Sequence, residues 1–578
     1  MRISQPFRHL ALTLSAVCLC FPLAAAHAQD EDPNALKALG LLNEGPPRPI
    51  ATITLSGLEN SLDDIAWMFD EADRPDMVEV INSFLADKAG NLKGVDRTRP
   101  MGIMLFLQES LPPRPIPVAY IPVDNISDLI KTLDLGPLKP KKVEGTENRY
   151  ELGGGRRSQH VLVRDGYLYM SRNEDYATRE DLPIPADFTP PHTSKYDFAA
   201  SIDLTSISPL LRDAFLGFLR AQAEAELQRR DNEAEGAYIV RRANGLSALE
   251  AIEELLRDGE KVTFGLDASK DKQLVTIDIS IDAKPGSKLA ENAMAFDGRS
   301  TAFGPLLEDE SQPLTIAASF ELGKREQKVY SEYVRAFETG LKEQFTTADG
   351  GTLTTASSNM ISRIVDPLRS TVENKHMDFC VQVRAVDAQT FVLVGGSRVV
   401  GGDTLANGLQ ELLSRAGEVN DNAGELELNI ANHQGVTIHR LRAPEDRRGR
   451  DRGPFGTDPE VYLGVGGRTV WFSIGGPAAL DELEAAMDRL AEGAAAAPRT
   501  SQPPFNIVFR TARWLKLPNE KSDEGREIAE DAFRSQDDAA RLEVRPTDSG
   551  IKFRMQFERS FVRFIGSLLA RQFDKTQL

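Results

Sequence analysis

Cysteine is nearly absent from this chain of 578 residues: there are three, Cys18, Cys20 and Cys380. The first two lie in the amino-terminal segment, and without that segment only Cys380 remains. A lone thiol excludes an intramolecular disulfide and a thiolate metal cluster, so stability must rest on apolar cores. Cys380 sits in Phe379-Cys380-Val381-Gln382-Val383, on the same face as Gln382, and reads as an inert strand cysteine. Histidine is scarce too. Of seven in the chain, only His433 and His439 lie near one another, with no third histidine or carboxylate at a ligand spacing, so both are expected at the surface and no metal site is expected. No Gly-x-Ser-x-Gly elbow, Walker loop, dinucleotide glycine fingerprint or calcium loop is present. The clusters Gly153-Gly154-Gly155, Gly395-Gly396, Gly401-Gly402 and Gly466-Gly467 flank strand-like runs and read as hairpin turns. No catalytic residue and no cofactor are therefore expected. Trp67, Trp471 and Trp514 are the only tryptophans and are assigned to cores.

Positive charge is in deficit: 68 Lys and Arg stand against 87 Asp and Glu, a net charge of −19. Such a field repels nucleic acid and anionic lipid, which excludes both as principal partners. The one basic run, Arg447-Arg448-Gly449-Arg450-Asp451-Arg452, is interleaved with an acid, lies among Pro444, Gly453 and Pro454, and reads as a solvated loop.

What is present begins with an address. Arg2 and Arg8 precede an apolar run from Leu10 to Ala26, and Ala26-His27-Ala28 supplies a small-x-small site before Gln29. These are the parts of an export signal, residues 1–28, cleaved between Ala28 and Gln29, with no transmembrane segment left after its removal. Cys18 and Cys20 follow Val17 and Leu19 rather than a small residue, so no lipid anchor is expected. Removing Arg2 and Arg8 takes the net charge to −19 − 2 = −21.

Beyond a polar, proline-rich leader at 29–48, one strand-then-helix pattern recurs. In Ala51 to Phe69, Thr52, Thr54 and Ser56 alternate with Ile53, Leu55 and Gly57, which predicts a strand with the hydroxyls on its wet face. Leu62, Ile65, Ala66 and Phe69 then form one stripe of an amphipathic helix. The pattern restarts at Tyr196, Leu314 and Phe505. Hairpins lie between, one turning at Asp165-Gly166 and one pairing Val262, Phe264 and Leu266 with Val275, Ile277, Ile279 and Ile281. Proline-rich joints fall at Leu182 to Ser194 and Ala494 to Pro504. The expected fold class is α+β, with duplicated halves at residues 50–297 and 312–578, each built of antiparallel hairpins packed by amphipathic helices. The expected units are 49–181, 195–297, 312–493 and 505–578, the third repeating the first and the fourth the second.

The passage Asp96-Arg97-Thr98-Arg99-Pro100-Met101-Gly102, followed by an apolar strand and by Val118-Ala119-Tyr120-Ile121-Pro122-Val123, resembles exported bacterial proteins of unknown function in planctomycete-type secreted families. The resemblance covers mainly residues 50–180 and implies a cell-envelope setting, periplasmic or extracellular, with no catalytic residues to carry over.

Three functions stay open on these residues. The first is a non-enzymatic envelope protein that binds a protein partner or builds an assembly; it calls for a broad exposed apolar patch. A carrier of a lipid or other apolar ligand calls for an enclosed apolar cavity. A hydrolase calls for carboxylates gathered in one cleft.

Overall fold

The computed structural model describes residues 48–577 apart from 109–113, 135–138, 154–157, 297–300, 349–350, 420–424, 443–452, 494–502 and 518–523. The export signal with its Ala28/Gln29 site, the leader, the Arg447 to Arg452 run and most of the Ala494 to Pro504 joint lie outside the described residues. Contacts divide the chain into two compact units. One takes the chain up to Asp63 with Val78–Phe215 and Lys261–Gly265; the other takes Asp64–Met77, Leu216–Glu260 and Leu266–Leu578.

In the first unit β1 (Ala51–Leu55) leads into α1 (Leu58–Glu71), whose end belongs to the second unit, and α2 (Asp76–Ala89) returns. The strands β2 (Met101–Gln108) and β3 (Arg114–Pro122), the helix α3 (Ile126–Asp134) and the short strands β4 (Pro140–Lys142), β5 (Arg149–Leu152), β6 (Gln159–Arg164) and β7 (Tyr167–Ser171) follow. Asp165 and Gly166 both take positive φ, 54° and 72°, the geometry of the tight hairpin turn that their sequence predicts. The proline-crowded stretch after β7 is folded: α4 (Glu174–Ala177) is followed by α5 (Pro185–Phe188) and α6 (Pro190–Thr193), each opened by a proline at its first turn. Then come β8 (Phe198–Asp203) and α7 (Pro209–Glu226), which belongs to the second unit from Leu216 on. All pairings are antiparallel, in the order β4-β5-β6-β7-β3-β2-β1-β8.

The faces of β1 are the reverse of the expected ones. Thr54 is 1% exposed and Ser56 is buried, whereas Ile53 is 42% exposed. The reason is a core rich in tyrosine, in which a hydroxyl finds a partner. The Thr54 and Tyr120 hydroxyls are hydrogen-bonded at 2.8 Å, and those of Thr52 and Ser201 also at 2.8 Å. Met104, Phe106, Val118, Tyr120, Tyr167 and Tyr169 fill the same core.

The second unit contains α8 (Glu235–Asp258), β9 (Gly259–Ser269) apart from Lys261–Gly265, β10 (Leu274–Ala283), α9 (Lys288–Met294) and β11 (Leu314–Glu321). Next are α10 (Lys324–Ala348), α11 (Thr355–Glu373), β12 (His376–Ala385), β13 (Phe391–Arg398) and α12 (Gly402–Val419). After β14 (Glu425–His433), β15 (Val436–Arg442), β16 (Glu460–Gly466) and β17 (Thr469–Gly475) comes α13 (Ala479–Gly493). The chain ends with β18 (Phe505–Arg510), α14 (Thr511–Leu515), α15 (Glu524–Ala532), β19 (Ala539–Thr547), β20 (Gly550–Glu558) and α16 (Arg559–Gln577). The antiparallel order is β14-β15-β16-β17-β13-β12-β11-β18-β19-β20-β10. One core, with Phe303, Cys380, Tyr462, Trp471 and Met487, packs α13 on the sheet; another, with Leu341, Met360, Ile364 and Leu405, joins α10, α11 and α12.

The fold class is α+β, as the alternating strand and helix patterns predict. Gly395 and Gly396 are not a turn, however. They lie inside β13, where a Cβ would stand 2.4 Å from the Phe472 ring and 2.7 Å from that of Phe303. Their smallness is what lets those rings lie against the sheet.

Candidate functional site

In the first unit the pairing of β8, β1, β2 and β3 sets Ala200, Ile53, Ile103 and Ala119 side by side in one row. The next row holds Ile202, Ala51, Leu105 and Pro117. Since side chains alternate across a strand, both rows share the face opposite the tyrosine core. At its centre Ile53 is 42% exposed and Ile103 39%. Two neighbouring isoleucines are therefore open to solvent, with half-buried Ala200, Ala119, Ile202, Ala51 and Leu105 around them. The sequence pointed away from this face, because the hydroxyls of Thr52 and Thr54 marked the opposite face as the wet one.

A second apolar feature lies in the second unit, where α8 and α10 pack side by side. Gly236 allows the close approach, a Cβ there being 3.1 Å from the Ala336 carbonyl oxygen. Ala237, Val240, Tyr333, Ala336 and Phe337 line a groove of about 540 Å3 that opens outward, with Phe337 exposed. Arg241 at its rim is held by Glu233, with N···O distances of 2.7 Å, and by the carbonyls of Glu226 and Gln228. On α16, Ile565, Leu568 and Leu569 form a third, narrower exposed stripe.

Polar chemistry is tied up inside the fold. Ser319 Oγ lies 3.2 Å from His376 Nε2, the spacing of a nucleophile and its base. Ser319 is only 3% exposed, in mid-strand, with its N–H donated to the Pro504 carbonyl, so the pair is a core hydrogen bond rather than a reactive one. Asp378, opposite Ser319, accepts hydrogen bonds from Thr301 Oγ1 at 2.6 Å and the Ala302 N–H at 2.9 Å. Arg384, buried, reaches Gln382 Oε1 at 3.0 Å and Glu482 Oε2 at 3.0 Å, fastening α13 to the sheet. Other inner carboxylates sit on guanidinium groups: Glu71 on Arg559, Glu254 on Arg325, Asp278 on Arg554 and Asp538 on Arg510. An adjacent cation favours the ionised carboxylate and makes it a weaker base, although burial outweighs this at Glu254 and raises its pKa above the ordinary carboxyl value.

The two neighbouring histidines do not converge on a metal, and among the described residues no group of three or more His, Cys, Asp or Glu could hold one. His433 Nε2 is 2.7 Å from Asp488. His439 is not at the surface as its sequence context predicts. It is buried against a bulge in β14, where its Nδ1 accepts the N–H of Asn429 at 3.2 Å. Burial holds its pKa below the ordinary histidine value. Cys380 is buried, and burial pushes its thiol up to about 12. Among the described residues no helix is long and apolar enough to cross a membrane.

The chain matches no family model, no curated protein and no solved structure. Function must be argued from the surfaces above.

Proposed function

We propose that this is an exported, non-enzymatic protein of the cell envelope that binds a protein partner through the open face of its first sheet. The observation that carries the reading is the Ile53 and Ile103 row, apolar, exposed and flanked on both sides by further apolar side chains. Contiguous apolar area of this kind is uncommon on a protein that works alone. Paired carboxylates and a buried serine weigh against a hydrolase.

The second reading, an apolar-ligand carrier, is favoured by the groove between α8 and α10, whose volume of about 540 Å3 is that of a small-ligand site. Its open form suits a carrier less well than an enclosed cavity would.

Both readings are tested by placing a photo-crosslinking amino acid at Ile103, at Phe337 and, as a control, at exposed Glu144, in the full-length protein in its own cells. A protein adduct formed at position 103 and absent at position 144 is the expected result. Lipid adducts at position 337 would transfer the function to the carrier reading. Equal labelling at all three positions would overturn both.

A further inference from the structure

The two halves of the chain share one order of elements. Strand, two helices, two strands, one helix and four strands run from β1 to β7 and again from β11 to β17, and a strand, helices, a hairpin and a closing helix follow in each. Their pairings match as well: β4-β5-β6-β7-β3-β2-β1-β8 in the first half repeats as β14-β15-β16-β17-β13-β12-β11-β18 in the second.

Within the second unit, segments of the first half meet the second half, and they do so reciprocally. The end of α1 meets the closing helix of the other half: Arg559 of α16 pairs with Glu71, and Gly566 passes so close that a Cβ would lie 2.5 Å from the Met68 carbonyl oxygen. Conversely, the region joining β11 to α10 meets the closing segment of the first half. Phe320 stacks on Phe296 at 4.9 Å, and the Glu321 N–H donates to the Ala295 carbonyl at 3.1 Å, just beyond α9. Elements that correspond in sequence order thus exchange roles, which is the signature of an isologous, two-fold contact.

Between these contacts β10 pairs with β20, its own counterpart. Asp278, the fifth residue of β10, stands opposite Arg554, the fifth of β20, and the apolar positions Val275, Ile277, Ile279 and Ile281 face Phe557, Met555, Phe553 and Ile551. On a true two-fold axis a residue would face its own copy. Here that position carries Asp on one strand and Arg on the other, joined by bonds of 2.8 and 2.9 Å with Asp278 1% exposed.

We propose that the chain is a dimer fused into one polypeptide: residues 50–297 and 312–578 derive from one repeat and associate about a pseudo-two-fold through the Asp278–Arg554 pair. The opposite charges at that point make the seam specific for the unlike half. Two first halves would set Asp278 against Asp278, and two second halves Arg554 against Arg554, the like-charge arrangement that cross-strand pairing disfavours.

The test is made on the full chain, with a protease site placed within residues 297–300 and cut after purification. Native mass spectrometry and size exclusion are expected to find both fragments in one particle of uncut mass. After Asp278→Arg the cut fragments should separate, their association weakened at least about a hundredfold because a guanidinium at the buried position 278 then meets the Arg554 and Lys552 cations that Asp278 had paired. Adding Arg554→Asp should bring them back together, and this swap also controls for misfolding of the single variant. Separation of the cut unmutated chain at micromolar concentration would overturn the proposal, as would a swapped variant that associates no better than Asp278→Arg alone.

Discussion

Replacing Thr54 by Val separates the two possible orientations of β1, because the substitution keeps shape and removes one hydroxyl. On a wet strand face it is nearly neutral, within about 0.5 kcal/mol. In the structure Thr54 Oγ1 is the 2.8 Å partner of the Tyr120 hydroxyl, which is left with a bond of 3.3 Å to the Ile53 carbonyl oxygen. Loss of a good hydrogen bond from a buried phenol costs about 1–2 kcal/mol. The methyl that replaces the hydroxyl returns less than about 0.8 kcal/mol. The net expectation is a destabilisation of about 1 kcal/mol, a roughly fivefold rise in the population of the locally opened strand. Hydrogen exchange read by mass spectrometry over peptides containing β1 and β3 measures that opening without assuming that a chain of 578 residues unfolds in one step. Tyr120→Phe should cost a similar amount, and the double variant should cost clearly less than the sum, since the two changes remove one bond. Neutral single variants, or strictly additive ones, would refute the buried-hydroxyl reading of this core.

Two further expectations concern titratable groups. Because burial lowers the folded-state pKa of His439, the folded chain binds fewer protons there than the unfolded one. Its contribution to stability is therefore complete above the ordinary histidine pKa of about 6.5 and is lost as pH falls from there through the folded value. His439→Asn, which keeps an acceptor near Nδ1, should flatten the fall in melting temperature between neutral pH and about pH 5; an unchanged slope would show that the bulge does not depend on a neutral imidazole. Cys380, with its thiol pushed up to about 12, is thiolate in only about one molecule in ten thousand at pH 8, so alkylation should wait for denaturant. Rapid labelling of the native protein would contradict its place in the core.

Much of the architecture was legible because it is carried by local signals. Alternation predicted the strands, three-and-four spacing the helices, and Asp165-Gly166 its hairpin. The orientation of β1 was not legible. Period-two alternation gives two faces but names the buried one only by polarity, and a core containing Tyr120, Tyr167 and Tyr169 reverses that rule by offering partners to Thr54 and Thr52. Arg384 was missed for a related reason. Its partners, Gln382 two residues away and Glu482 on α13, are brought together only by the folded sheet. His439 gave no sign of burial because its partner is a backbone N–H in a bulge that no side-chain pattern marks. The open surface at Ile53 and Ile103 inherits the same ambiguity, for it is simply the other face of the misjudged strand.

The proposed repeat supplies an internal comparison for that surface. Thr52-Ile53 in β1 corresponds to Thr315-Ile316 in β11, and in both halves the hydroxyl face is buried, with Thr315 and Ser319 turned inward as Thr54 and Ser56 are. The opposite faces differ. In the second half Ala318, Phe320 and Phe379 lie under Tyr330 and Val334 of α10 and Val372 of α11, helices of 25 and 19 residues. The corresponding α1 and α2 have 14 residues each, and α1 gives its last turns to the second unit. The covered face of the second half thus contrasts with that of the first, where Ile53 and Ile103 stay exposed. Polar substitution of exposed isoleucines improves solubility at little cost in stability. An apolar row exposed on one half, beside a covered counterpart on the other, is what the proposed partner-binding face requires.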